Sequence, residues 1–252
     1  TCIVLNIPLL PDNKFSNTDL LVLSISGAIG MGIADIIFLH SLNILGAGMS
    51  AIVDTVYSPF IIFLAYIILG ESLTQMQLLG GLLIFISVLY ASIKIKNIAV
   101  DRKNFNRGII MGISAIAMMA IGIVMIKPIL NSVNSQPRLQ IWIAGYRLIA
   151  GLIVSTTIMF YFNQKENFIY ILKDKSIWFP LISGSILATY LGIAMWIMGM
   201  SMTTASIASI LNQTATIFIM IFAWIFLNEP LTKRRILSIF IAMCGAYMVF
   251  VG

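Results

Sequence analysis

Charge is what this sequence has least of. Only 10% of its 252 residues are Asp, Glu, Lys or Arg, and it holds nine acids and a single histidine. A soluble domain carries about 25% charged residues, and one of this size leaves too much of its chain at the surface to hide so apolar a composition. Cysteine is nearly absent too. Cys2 and Cys244 both lie in apolar segments and no Cys-x-x-Cys occurs, so a disulfide scaffold is excluded. With one histidine there is no ligand set for a transition metal, and no cofactor is expected. The formal charge of +6 contains no run of five or six basic residues and no basic-aromatic stripe, which argues against a nucleic-acid partner. Nor is there a nucleophile–base pair of the kind an intramembrane enzyme needs.

What is present is hydrocarbon-like side chain: 60% of the residues are hydrophobic. A membrane span needs about 20 mostly apolar residues. Eight stretches qualify, at 20–42, 49–69, 78–95, 108–125, 139–162, 177–198, 203–227 and 235–251. Backbone polar groups in lipid must be satisfied within each segment, so these are helices, and the fold class is an all-α, polytopic membrane bundle. The first ten residues are apolar but too short to span. Asn17 or Thr18 is placed to cap the first helix, and Thr74 with Gln77 forms a capping-box pattern ahead of the third. Pro59 should kink the second span. Ala28-x-x-x-Gly32 and Gly108-x-x-x-Gly112 permit close helix packing.

The chain repeats itself. Shifted by 158 residues, 60–74 falls on 218–232 with eight identities in fifteen positions, among them Glu71/Glu229 and Thr74/Thr232. Apolar identities are cheap in this composition, whereas a matched Glu-x-Leu-Thr in a chain with nine acids is not. The same shift lays the first three spans on the last three. It leaves the spans at 108–125 and 139–162 without complete partners, so about 50 residues are expected upstream and a full chain would have ten spans. Five spans per half is odd, which makes the halves inverted repeats with a site at their interface. The expected division is a first repeat over 1–96, a linker over 97–107 and a second repeat over 108–252.

These residues carry a family likeness. The order of motifs resembles the EamA-type transporters of the drug/metabolite transporter superfamily. Glu71-Ser-Leu-Thr74 and Glu229-Pro-Leu-Thr232 look like that family's Glu-x-Leu-Thr at the end of the fourth and ninth helices, Pro59 looks like its fourth-helix proline, and Tyr146-Arg147 looks like the aromatic-Arg opening of its seventh helix. The chain departs from the pattern at Ile217, where a proline is common, and in lacking the first helix. The resemblance implies secondary transport of small metabolites, amino acids or drugs, often as export.

Ionisable and polar residues inside spans mark the candidate site. Asp54 maps onto Asn212 under the 158-residue shift, giving one polar side chain per half. Tyr57 and Ser58 follow Asp54 on its helix face, and Ser209, Gln213 and Thr216 surround Asn212. These are expected to bind substrate, with an interhelical packing bond as the bland alternative. Arg147, read as the only basic residue well inside a span, orients structure or meets an anionic group. Trp196 and Tyr190, with Trp142, are candidates for an apolar pocket wall. Asp35 and His40 are the proton-coupling candidates, being groups that bind and release protons within a transport cycle. Glu71, Thr74, Glu229, Thr232 and Pro59 are read as structural.

Eleven Lys and Arg flank the linker side and three, Lys14, Lys127 and Arg138, the other, which favours a cytoplasmic linker. The expected setting is the cell (inner) membrane, multi-pass, with the bilayer, a small-molecule substrate and protons as partners.

Overall fold

The computed structural model describes residues 14–92, 102–162, 174–215, 217–218, 221–222, 225 and 233–252. Every regular element among the described residues is helical. In chain order they are α1 (Asn17–Gly27), α2 (Ala34–Asp54), α3 (Tyr57–Leu64), α4 (Gln75–Ser92), α5 (Arg102–Ser132), α6 (Pro137–Tyr161), α7 (Trp178–Gly184), α8 (Ile193–Met202), α9 (Ala205–Asn212) and α10 (Lys233–Val251). Wider π-helical turns at Ala28–Ile33, Ala65–Leu69 and Ser185–Gly192 join or extend them. Four helices are long and apolar enough to cross a membrane by length and composition: Asn17–Gly46, Lys103–Ser132, Pro137–Tyr161 and Lys175–Met202. Shorter apolar helices run over Tyr57–Leu69, Gln75–Tyr90 and Ile236–Val251.

Helix ends follow local chemistry. Ser16, rather than Asn17 or Thr18, caps α1: its hydroxyl accepts from the Asp19 N–H at 3.2 Å, and the Asp19 carboxylate accepts from the Ser16 N–H at 2.9 Å. Both close orphan donors of the first turn. The Thr74–Gln77 capping box forms as the sequence reading expects, with reciprocal bonds of 3.0 and 3.1 Å. Two glycines punctuate the chain where no other residue fits easily. Gly46, at φ 74° and ψ 165°, breaks the helix between its neighbours in a region essentially reserved for glycine. Gly70, at φ 68°, closes the helix ahead of Glu71 in the left-handed conformation. Asp174 caps the 3-10 turn Lys175–Ile177, and the Ser176 hydroxyl and N–H hold its carboxyl below the ordinary carboxylate range.

The fourth span runs longer than the sequence reading. Expected to begin at 108 and end at 125, it starts with the polar run 102–107 and continues through Pro128 to Ser132. Lys127, counted above among the loop cations, is therefore inside a helix and buried, and Arg147 is not the only intrahelical basic residue. The apolar residues Ile129 and Leu130 beyond the Lys-Pro pair are the signal that the run had not ended.

The chain divides into two compact units. The first comprises Thr1–Ile36 and Met125–Met202, the second Ile37–Val124 and Thr203–Gly252, so each draws on both sequence halves. In hydrocarbon the burial of a leucine is no longer driven by escape from water, so helices associate through close van der Waals packing at small residues. Both units are built this way. In the first, α1 and the turn after it pack on α6: a Cβ on Gly27 would lie 2.9 Å from the Arg147 Cα, and one on Gly151 would lie 2.9 Å from the Met31 Cβ. In the second, α4 and α10 cross at Gly80 and Gly245. A Cβ on either would come within 2.6 Å of the other's carbonyl oxygen. Gly108 and Gly112 of α5 pack in the same way against Leu45 and Ser41 of α2, and the Ser41 hydroxyl donates to the Gly108 carbonyl at 2.8 Å.

Replacing Gly80 or Gly245 with leucine should overpack the α4–α10 crossing and cost about 1–3 kcal/mol. Gly145→Ala and Gly199→Ala, where nothing lies within 4 Å of the added carbon, should leave stability unchanged or slightly raised. Thermal unfolding of the purified protein in detergent checks both.

Candidate functional site

The Asp54 and Asn212 positions, paired by the repeat, are paired again in local backbone. Asp54 is the last residue of α2 and Asn212 the last residue of α9. The two residues that follow each, Thr55–Val56 and Gln213–Thr214, form a turn before the helix resumes. The Val56 N–H donates to the Val53 carbonyl at 3.1 Å, and its repeat equivalent, the Thr214 N–H, donates to Leu211 at 3.0 Å. These tight bonds replace the longer-range bonds of an α-helix. In the first copy Pro59 gives the reason, since it has no N–H to offer the carbonyl four residues back. In the second copy Ile217 stands at that place, and its N–H donates instead to Thr214 at 2.9 Å. The break survives the loss of proline.

Asp54 and Asn212 both have exposed side chains. Below them the two broken helices are tied together: the Ser58 hydroxyl donates to the Ser209 carbonyl at 2.6 Å, both residues being buried. Gln213, 5% exposed, and Ser58 face one cavity, whose other walls are apolar side chains of α3, α4 and α9. The structure therefore brings Ser58, Ser209 and Gln213 together. Tyr57 turns away, packing on the core formed by Leu45, Val53 and Ile116. Neither Asp54, Tyr57 nor Asn212 lines the cavity. Thr216, Glu229 and Thr232 lie outside the described residues, as does the side chain of Tyr190.

The start of α9 is fixed from a distance in sequence. The Glu71 carboxylate accepts from the N–H groups of Ala205 at 2.8 Å and Ser206 at 2.9 Å, and from the Ser206 hydroxyl at 2.8 Å. Thr204 supplies the next acceptor, its hydroxyl receiving the Ile207 N–H at 3.3 Å. Three orphan donors of the first helical turn are thus satisfied, and a negative group sits at the positive end of the helix. Ser206 is the partner that sequence reasoning missed, because nothing local links positions 71 and 206. Thr74 and Pro59 occupy the helix start and helix break already described.

Of the remaining candidates, His40 belongs to the second unit and the others to the first. Arg147 is buried, and its Nε donates to the Ser26 hydroxyl at 2.9 Å. Lys127, also buried, donates to the Met200 carbonyl near the end of α8, where a cation suits the helix dipole. Trp196 is half-buried. Trp142 stacks between Phe15 and Tyr146, with ring centroids at 5.3 and 5.0 Å. Asp35 and His40 are exposed, and Asp35 lies two residues after the wide turn at Ala28–Ile33. Among the described residues no group of His, Cys, Asp and Glu is placed to hold a metal ion.

A helical bundle of membrane-spanning length, with polar residues gathered at two repeat-related helix breaks, is the architecture of a polytopic membrane protein. The EamA-like transporter family model matches residues 1–93 and 106–251, and the chain belongs to that family, within the drug/metabolite transporter superfamily. It is a membrane transporter. A solved structure titled "Crystal structure of protein" superposes with a TM-score of 0.72 at 12% identity, over 99% of this chain and 80% of that one, and supports the fold. No curated protein matches the chain.

Removing the Glu71 carboxylate should destabilise the start of α9. Glu71→Ala is expected to cost about 1.5–3 kcal/mol, the range for hydrogen bonds to a charged group, and Glu71→Gln about half as much. Thermal unfolding of the purified protein reads the order wild type, Gln, Ala.

Proposed function

We propose that this protein is a secondary carrier that moves a small metabolite, amino acid or drug by alternating access, coupled to protons and working as an exporter at the cell (inner) membrane. The observation that carries the reading is the matched pair of helix breaks at Asp54–Val56 and Asn212–Thr214. Interrupted helices at corresponding points of two repeats are how carriers present backbone and side-chain polar groups to a substrate. Asp54, Asn212, Gln213, Ser58 and Ser209 supply donors, acceptors and one carboxyl around the breaks. In this reading Asp35 and His40 carry the coupling proton, and the two sequence repeats are the bodies whose exchange of position alternates access.

The test is flux into proteoliposomes made with the full-length protein, using a library of labelled amino acids and drugs. Asp54→Ala and Asn212→Ala should each lower flux of the accepted substrate by at least tenfold while leaving the unfolding temperature within a few degrees. Flux should also respond to an imposed pH gradient. Absence of substrate-dependent flux, or flux unchanged in both variants, overturns the reading.

A further inference from the structure

The cavity beside the second helix break is suited to more than filling space. Its volume is about 160 Å³, and its walls include Ile62 of α3, Gly81 and Phe85 of α4 and Ile210 of α9, with Ser58 and Gln213 as the polar groups. Gly81 helps make the room: a Cβ there would reach to 3.2 Å of Ile210. A buried apolar cavity of about 150 Å³ takes up benzene in water-soluble proteins, and this half-open one has volume for a single ring or a chain of similar bulk.

The two polar groups are not equally committed. The Ser58 proton is already given to the Ser209 carbonyl. Gln213 is 5% exposed as a residue, and its side-chain amide makes no hydrogen bond among the described residues. Its amide can therefore pair with a polar group placed in the cavity. No ionisable side chain is among the lining residues, so a charged guest would lose its hydration with nothing to replace it. Leu78 and Leu82, also in the wall, are about half exposed and mark where a guest enters.

We infer that this cavity is a binding site for an uncharged, single-ring-sized apolar molecule bearing one hydrogen-bonding group, which the Gln213 amide meets. The site shares Ser58 and Gln213 with the transport reading and rests on it for their access to a small molecule, but it is measured by binding alone. A guest with a hydroxyl pairs with the amide while its ring contacts Ile62, Phe85 and Ile210. A pure hydrocarbon of the same size fills the space and leaves the amide unmet.

The experiment is fluorine NMR of 4-fluorophenol and of fluorobenzene with the full chain in detergent micelles, with empty micelles as the partition blank. The phenol is expected to show a saturable component, about tenfold tighter than fluorobenzene. Gln213→Leu should weaken the phenol about tenfold and leave fluorobenzene within twofold. Ile62→Phe, with Leu82→Phe as a second way to fill the cavity, should remove the saturable component for both. Partition without saturation, as when a lipid or detergent tail occupies the cavity, overturns the inference. So does equal weakening of both probes by Gln213→Leu, or unchanged binding in both filled variants. Loss of flux with intact binding overturns the transport reading alone, and flux without saturable binding overturns this site alone.

Discussion

A peptide group inside hydrocarbon must find its hydrogen-bond partner within the protein. That constraint makes the chain helical and makes any interruption of a helix expensive. The two interruptions at Thr55–Val56 and Gln213–Thr214 are therefore the most informative features of the fold. Each is closed by the same short bond, and each follows a polar residue with an exposed side chain. Around them the structure supplies compensation. Ser58 donates to the Ser209 carbonyl, and Glu71 with Thr204 receives the first N–H groups of α9. The second broken helix is thus held at its start by one loop and near its break by the first broken helix.

The rest of the molecule is arranged so that helices with little driving force to associate still do so. Gly80 and Gly245 bring α4 and α10 into backbone contact, as Gly27 and Gly151 do for α1 and α6. Buried cations follow the same economy of partners. Arg147 and Lys127 are each bound within the first unit, to a serine hydroxyl and to a carbonyl near a helix end. These contacts lie within the first unit, while the polar groups placed around the helix breaks belong to the second.

Much of this was legible in the sequence, and the reasons differ by feature. Apolar run length announced an all-helical membrane bundle, and four of the described helices are long and apolar enough to cross a membrane. The 158-residue shift predicted that Asp54 and Asn212 correspond, and the helices do break at corresponding residues. The Thr74–Gln77 box depended only on neighbours and formed as written. Four things were not legible. Ser16 capped α1 because its spacing to Asp19 outcompeted Asn17 and Thr18, a choice of one or two residues that composition cannot make. Lys127 looked like a loop cation because a lysine and a proline together resemble a helix end, yet helix propensity lost to the continuing apolar run. The Glu71–Ser206 tie and the cavity at Gln213 depend on residues 135 and more positions apart, and no local pattern announces them.

The two repeat-related helix breaks should face water within the bilayer rather than lipid. The direct measurement is modification by a membrane-impermeant thiol reagent in liposomes, after Cys2 and Cys244 are replaced. Asp54→Cys and Asn212→Cys should react at least tenfold faster than Phe63→Cys, whose side chain is exposed on the same apolar helix beyond the break. Equal, slow reaction at all three positions would place the breaks in hydrocarbon and contradict the account.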